Sequence, residues 1–434
     1  MGVGPRRQCF MSVSPGQVLS LTVEKPAAGG RMIARADGQV VLVAGAIPGE
    51  RLTARVERVG RGVAYARTLS VEEPSADRRD AFTDPLCGGC LYAHIGYPRQ
   101  LAIKAEVVAD AFARIGRIDL SEPVRVAASA GEGYRMRARL HLRGGRAGFF
   151  REGTHELCDA RSTRQLLPAT CDVLERLVSG LRSLGLDTVR ELEVSENVEA
   201  SQRAVHLDAA SPVDPRPLGA LARTGGLTGL SLGQQLPGSV TVGGDPHVTD
   251  VLLIDKHRVV LRRHVLSFFQ GNRFLLGDLV AAVVGQLEAE SEVVDLYAGA
   301  GLFAVSAAVA RRARVIAVEG DRVAARDLEA NARASSGAIE PVFQPVEAFT
   351  ASARARPRTV IVDPPRTGMS REALDGVIRL AAPEVVYVSC DIATLARDSR
   401  RLLEAGYAIR RVDAFDLFPN TPHVETVVAY FRTF

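Results

Sequence analysis

Lysine is nearly missing from this chain. Of its 54 basic residues only Lys25, Lys104 and Lys256 are not arginine, a bias that reads as coding preference ahead of phosphate recognition. No strong excess of either charge occurs. A formal net charge of +4 is compatible with a polyanionic partner but falls short of the footprint of a protein that binds nucleic acid by charge alone. There is no apolar run long enough to span a bilayer, and Met1 to Phe10 lacks the apolar core of a secretory signal. A soluble, cytoplasmic, monomeric protein without a membrane partner is therefore expected. Cysteine is sparse too: six residues in 434, with no secretion signal, do not make a disulfide framework, so reactive or metal-binding roles come into question for Cys9, Cys87, Cys90, Cys158, Cys171 and Cys390. Internal repeats and low-complexity tracts are absent as well.

The chain does have enough apolar residues, 47% of the total, to bury more than one core. Residues 10–71 alternate apolar and polar positions in short runs (Gln17 to Val23, Gln39 to Val43, Leu52 to Val56), broken at Gly29-Gly30 and Pro48-Gly49, which predicts a small closed β-barrel. A polar linker, Pro74 to Pro85, leads into Cys87-Gly-Gly-Cys90. Residues 86–245 read as a mixed α/β domain with a helix over Gln100 to Ile115, strands over Arg137 to Leu142 and Ala204 to Leu207, and a Gly- and Pro-rich break from Pro212 to Pro246. From 250 to 434, β-branched runs alternate with Ala- and Arg-rich segments of helical length. The runs are Val293 to Tyr297, Val315 to Glu319, Val342 to Val346, Thr359 to Asp363, Val385 to Ser389, Ile409 to Asp413 and Thr426 to Phe431. This alternation predicts a doubly wound α/β domain with a mostly parallel sheet, the last two runs pairing antiparallel for want of a helix between them.

Ligands in such sheets gather at the carboxyl ends of the strands, and the residues that stand out fall there. Asp295-Leu-Tyr-Ala-Gly-Ala-Gly301 closes one run and opens a helix, so Gly299 and Gly301 let the backbone approach a ligand. Nucleotide-binding folds of several chemistries share such a loop. Glu319 ends the next run, where a carboxylate can accept ribose hydroxyls. Asp363-Pro-Pro-Arg-Thr-Gly368 presents a carboxylate on a rigid turn, or is an ordinary strand-to-helix loop. Cys390 ends a strand and precedes a helix, a position where the helix dipole favours a thiolate, although a cysteine after an apolar strand is more often a buried structural residue. Glu425 opens the last strand as a candidate base or a solvated turn residue, and His423 reads as a structural hydrogen-bonding histidine.

Together and in this order, these residues resemble the RNA uridine-5-methyltransferase family, over nearly the whole chain. Phe268-Phe-Gln270-Gly-Asn272, Asp295 to Gly301, Asp363 to Gly368, Ser389-Cys390 with Thr394-Leu-Ala-Arg-Asp398, and His423-Val-Glu425 look like five of its motifs. The resemblance implies a Rossmann-like class I catalytic domain and S-adenosylmethionine contacts from Gln270, Tyr297, Glu319 and Asp363, beside the glycines. It also implies a nucleophile at Cys390, a base at Glu425, and a ribosomal or transfer RNA substrate. In that chemistry a thiolate adds to carbon 6 of uracil, carbon 5 takes the methyl group, and a base removes the carbon 5 proton. Gly45-Ala-Ile-Pro-Gly-Glu50 makes the barrel look like the OB-fold of TRAM type found in many members, with Arg51, Arg55, Arg58 and Arg61 available to RNA. Cytosine methylation and an RNA-binding protein with a silent site are the competing readings.

One feature departs from the family. Members that carry a four-iron, four-sulfur cluster use four cysteines. Here Cys87 and Cys90 match, together with Tyr97 and Gln100, but Ala81 stands at the first position, and the fourth falls near Ser162, with Cys158 a few residues early. An intact cluster is therefore not expected, nor any other metal. Asp391-Ile392 also replaces the family's usual Asn-Pro.

Overall fold

A computed structural model describes residues 13–223, 225–233 and 239–433. Cys9, the segment Met1 to Phe10 and the first residues of the expected barrel range (10–12) lie outside the described residues, as do 224 and 234–238 of the Gly- and Pro-rich stretch. By density of contacts the chain divides into two compact units, residues 1–107 with 420–422, and residues 108–419 with 423–434.

The first unit holds a closed barrel of β1 (Val18–Pro26), β2 (Met32–Ala36), β3 (Gln39–Ala44), β4 (Arg51–Gly60) and β5 (Val63–Glu73), in the order β1-β2-β3-β5-β4. Period-two patterning drives it: Leu52, Ala54 and Val56 point inward while Arg51, Arg55 and Glu57 point out. The stretch before β4 is a latch. The fully buried Glu50 carboxylate accepts the N–H groups of Ile47 (2.8 Å) and Ser75 (3.2 Å) and pairs with Arg78, the partner that a buried charge requires. Of the expected RNA-facing arginines, Arg51 is engaged with Glu72 and Glu73 and Arg58 lies 3.3 Å from the centroid of the Tyr65 ring. Arg55 and Arg61 are exposed. Cys87 and Cys90 are buried in a turn closed by the Cys90 N–H on the Cys87 carbonyl at 2.8 Å, whereas Ala81 is exposed. The helix α1 (Tyr97–Ala111) begins three residues before the expected start and runs on into a π turn over Phe112–Gly116.

The second unit contains two sheets and a hairpin. After the short β6 (Val126–Ala127), seven strands form the order β13-β12-β11-β10-β7-β8-β9. They are β7 (Arg137–Arg143), β8 (Arg146–Phe150), β9 (Leu157–Asp159), β10 (Val189–Glu196), β11 (Arg203–Ala209), β12 (Gly229–Gly233) and β13 (Ser239–Gly244), with α2 (Pro168–Ser183) and α3 (Leu218–Arg223) between them. Leu174, Leu177, Val178 and Leu181 of α2 cover one face. The Gly- and Pro-rich stretch is thus not a break, because it supplies α3, β12 and β13. Its glycines are there for close approach: a Cβ on Gly229 would lie 1.8 Å from the Asp245 carbonyl oxygen.

The hairpin β14 (His247–Ile254) and β15 (His257–His264) precedes α4 (Leu276–Val284) and the doubly wound part. That part runs β16 (Glu292–Leu296), α5 (Leu302–Ala310), β17 (Arg314–Glu319), α6 (Arg322–Ala334), β18 (Ala338–Phe343), α7 (Val346–Ser352), β19 (Thr359–Val362), α8 (Arg371–Leu380), β20 (Glu384–Ser389), α9 (Ile392–Glu404), β21 (Tyr407–Phe415) and β22 (Glu425–Arg432). The sheet order is β18-β17-β16-β19-β20-β22-β21-β6. β16 to β20 are parallel, and β22 is antiparallel to both β20 and β21 as the sequence predicts. The run expected at Val342 to Val346 is displaced: β18 ends at Phe343, and Pro345 precedes the helix that Val346 starts. As an edge strand β18 tolerates Pro341 and half exposes its residues, which removes the apolar signature that marks the inner strands. Among the described residues no helix is long and apolar enough to cross a membrane.

Candidate active site

Strand order reverses between β16 and β19, and at such a point a crevice opens beyond the strand ends. At the end of β16, Tyr297, Gly299 and Gly301 all take left-handed backbone conformations (φ 64°, 57° and 94°). Gly301 is the N-cap of α5, and a Cβ there would meet Leu328 Cδ1 at 2.9 Å. From β17, Glu319 grips this loop: it accepts the Gly299 N–H at 2.7 Å and, with its other oxygen, the Asp321 N–H at 2.6 Å. Asp295 is fully buried, and neither carboxylate oxygen has a well-formed hydrogen bond among the described residues. Burial raises its pKa well above the usual range. The Asp363 and Glu319 charges add to this, against the Ala304 N–H dipole. Asp295, on β16 just before the glycine loop, thus feels the charge of Glu319 and of Asp363.

A second cluster gathers Gln270, Asp363, Cys390 and Glu425. Gln270 is buried and donates through Nε2 to Asp363 Oδ2 at 3.2 Å. Because β22 runs antiparallel to β20, its start lies at the carboxyl ends of the parallel strands. The register that pairs Ser389 with Thr426 sets Glu425 across from Cys390. Burial lifts Asp363 to about 7, opposed by the Gln270 hydrogen bond. Burial also holds Glu425 well above the carboxylate range, with the Asp363 charge adding and Arg366 opposing.

The Cys390 thiol differs from the expectation of a thiolate favoured by the helix. Burial pushes it up to about 11, and the Glu425 and Asp363 charges push the same way against the Arg366 guanidinium. Burial and charges from other segments outweigh the helix end. Cys390 precedes the cap of α9, and the N-terminal amide of that helix, Thr394 N–H, is taken by the Asp391 side chain at 2.9 Å. Asp391 thereby also explains how the chain enters α9 without the usual Asn-Pro.

Two residues inside the motifs acquire roles that the sequence does not display. Arg366, within the Asp363 to Gly368 segment, is the cation facing both Cys390 and Glu425. Asp398, buried on α9, accepts the Tyr387 hydroxyl (2.9 Å), the Met369 N–H (3.3 Å) and Arg397 Nε (2.8 Å). It thus ties the loop carrying Asp363 and Arg366 to the helix that follows Cys390. His423 sits edge-on to Phe418, ring centroids 6.1 Å apart. Tyr297 is half-buried, with its hydroxyl pKa raised by burial and then by the Glu347 and Asp398 charges. Ser162 uses its hydroxyl on the Asp159 carbonyl, and Cys158 is buried on β9. Among the described residues no group of three or more His, Cys, Asp or Glu side chains is arranged to hold a metal ion.

Comparison with known proteins gives consistent matches. Residues 349–433 match the family model for tRNA (uracil-5-)-methyltransferase, and residues 13–69 match the TRAM domain. A 23S rRNA (uracil(1939)-C(5))-methyltransferase, RlmD, of Halomonas elongata is 32% identical over 94% of this chain and 88% of its own length. An uncharacterized RNA methyltransferase of Thermotoga maritima is 30% identical over 94% and 97%. The crystal structure of Pyrococcus abyssi tRNA (uracil-54, C5)-methyltransferase in complex with S-adenosyl-L-homocysteine shares the fold, with a TM-score of 0.74, 24% identity, and 94% and 99% of the two chains covered.

Proposed function

Because the chain belongs to the family of RNA uracil-C5 methyltransferases, we propose that it transfers a methyl group from S-adenosylmethionine to carbon 5 of a specific uridine in ribosomal or transfer RNA, through a covalent adduct of Cys390. The observation that carries this reading is the convergence of Cys390, Glu425 and Asp363 at the carboxyl ends of the parallel strands, where their charges act on one another.

The residues fit the donor. Burial raises both Asp295 and Asp363, and at Asp295 the Asp363 and Glu319 charges add to it by repulsion. A ligand carrying sulfonium and ammonium charges relieves that repulsion. Gly299 leaves room for its close approach, Gly301 lets the loop pack against Leu328 as it enters α5, and Glu319 keeps lone pairs for ribose hydroxyls. When bound, S-adenosylmethionine supplies an electrophilic methyl group.

Cys390, once deprotonated, adds its sulfur to carbon 6 of the uracil, and the displaced electron pair makes carbon 5 nucleophilic. Arg366 stabilises the thiolate and the carboxylates beside it. After methyl transfer, with the donor's carbon–sulfur bond broken and a thioether left, carbon 5 carries both the methyl group and its proton. Glu425 takes that proton, the carbon 5–carbon 6 double bond re-forms, and the bond to Cys390 breaks. The burial that raises the Glu425 pKa makes it the stronger base when ionised. Gln270 holds Asp363 in place, which fixes a carboxylate whose charge acts on both Cys390 and Glu425.

Incubation of the protein with host ribosomal and transfer RNA and methyl-labelled donor tests this reading, together with a 5-methyluridine map of the host with and without the gene. Label in 5-methyluridine at a position lost from the map without the gene is expected. Label in cytidine, or none, would overturn it.

A further inference from the structure

We propose that the β7–β8 hairpin is the docking surface for the RNA strand flanking the target uridine, with phosphates on Arg143 and Arg146 and an unpaired base stacked beside the His141–Phe150 ring pair; this rests on the function proposed above.

One face of β7 buries Ala138 and Leu140 against the core under α2, and the other presents Arg137, Arg139, His141 and Arg143. Arg137 and Arg139 are neutralised by Glu193 of β10. Toward the turn the character changes. The His141 ring stacks on Phe150 with centroids 3.6 Å apart and planes within 6°, and exposed His155 meets Phe150 edge-on at 5.2 Å. Arg143 lies 5.4 Å from the Phe150 centroid. Gly144 and Gly145, with φ of 58° and 72°, make the tight turn that sets Arg143 directly across from Arg146. Both are exposed, and neither forms an ion pair among the described residues. Like charges placed opposite each other on a hairpin destabilise it, so this pairing is costly unless an anion bridges it. Rings interleaved with exposed arginines, of which Arg143 also donates to the His155 carbonyl at 3.1 Å, suit a single strand of RNA, whose bases stack and whose phosphates pair without regard to sequence.

The strand that carries this face begins near the catalytic end. At the entry to β7 the Met136 N–H donates to the Gly271 carbonyl at 2.8 Å, next to Gln270, and the Arg135 guanidinium sits 5.2 Å from the Phe418 ring. Phe418 meets His423, two residues before Glu425. β7 thus runs from the neighbourhood of the reacting groups out to the hairpin turn. An acidic peptide would use the arginines but has no need of the ring pair.

The test compares wild type with the double variant Arg143→Gln/Arg146→Gln and with Phe150→Ala and Phe150→Tyr, all shown to match its melting temperature. Binding of a short fluorescein-labelled single-stranded RNA of mixed sequence is followed by anisotropy across a salt series, and methyl transfer by KM and kcat on 23S rRNA. Loss of two phosphate contacts should lower the slope of log Kd against log salt by about 1.4. Phe150→Ala should weaken binding roughly ten- to a hundred-fold while Phe150→Tyr retains it. KM should rise in parallel with kcat unchanged. Unchanged Kd and salt slope in the variants would overturn the proposal and leave the ring pair as a staple of the hairpin. A wild type that binds RNA but transfers no methyl group would defeat the proposed function alone, since the slopes still decide the docking site. A wild type that binds no RNA would defeat both.

Discussion

At the scale of single residues, the site is a set of acids held away from their ordinary ionisation. Glu425 is the sharpest case, because its burial serves proton removal only after methyl transfer. Glu425→Gln keeps the size and hydrogen-bonding shape of the side chain but removes its basicity. It should therefore accumulate a methylated protein–RNA adduct and turn over more slowly by about two to four orders of magnitude, as gel shifts and single-turnover kinetics would show; normal turnover would assign the base elsewhere. Asp363, lifted to about 7 by burial, makes a second expectation. Its raised pKa means that it holds a proton below neutrality and a negative charge above it, so a cationic donor binds better as the pH rises through 7. Calorimetry should show affinity for S-adenosylmethionine tightening from about pH 6 to about pH 8, by up to about tenfold per unit, and flattening in Asp363→Asn. An equally steep rise in that variant would place the titrating group elsewhere. Where the candidate residues gather was largely legible in the sequence, because Cys390, Glu425, Asp363 and Glu319 all fall at strand ends. Their protonation was not. The thiol's pKa depends on three side chains from distant segments, which no local pattern displays.

At the scale of elements, the loop after β19 has to be pinned to α9 for Asp363 and Arg366 to face Cys390. Asp398 makes that tie, and Gly368 permits it: its φ is 74°, and a Cβ there would come within 2.8 Å of Thr394 Cβ. Gly368→Ala should cost about 1–3 kcal/mol of stability and, by moving the loop, most of the methyl-transfer rate. A variant with wild-type melting temperature and rate would show that the loop tolerates the shift. The Thr394 to Asp398 segment thus becomes intelligible as packing surface as well as motif. Inner strands were readable because β20 is buried on both faces, an unbroken apolar run. The edge strand β18 was misplaced by four residues, and β12 and β13 were read as a break. In both cases the side chains that periodicity relies on are half exposed or replaced by glycine.

At the scale of the whole molecule, the chain joins a charge-latched barrel, a central sheet and a doubly wound sheet. The register of a single antiparallel strand brings Glu425 to the carboxyl edge where Cys390 lies. The order of motifs along the sequence foreshadowed the catalytic sheet, but the hairpin of β7 and β8 gave no signal, since its ring pair forms only across two strands. The central claim is that Cys390 bonds to the base, and one measurement reaches it directly. RNA carrying 5-fluorouridine at the target, incubated with protein and donor, should leave a denaturation-resistant adduct, because fluorine cannot leave as the proton does. Peptide mass spectrometry should place that adduct on Cys390, and Cys390→Ala should form none. The absence of an adduct from active wild-type protein, or an adduct on another thiol such as Cys87 or Cys90, would contradict covalent catalysis by Cys390.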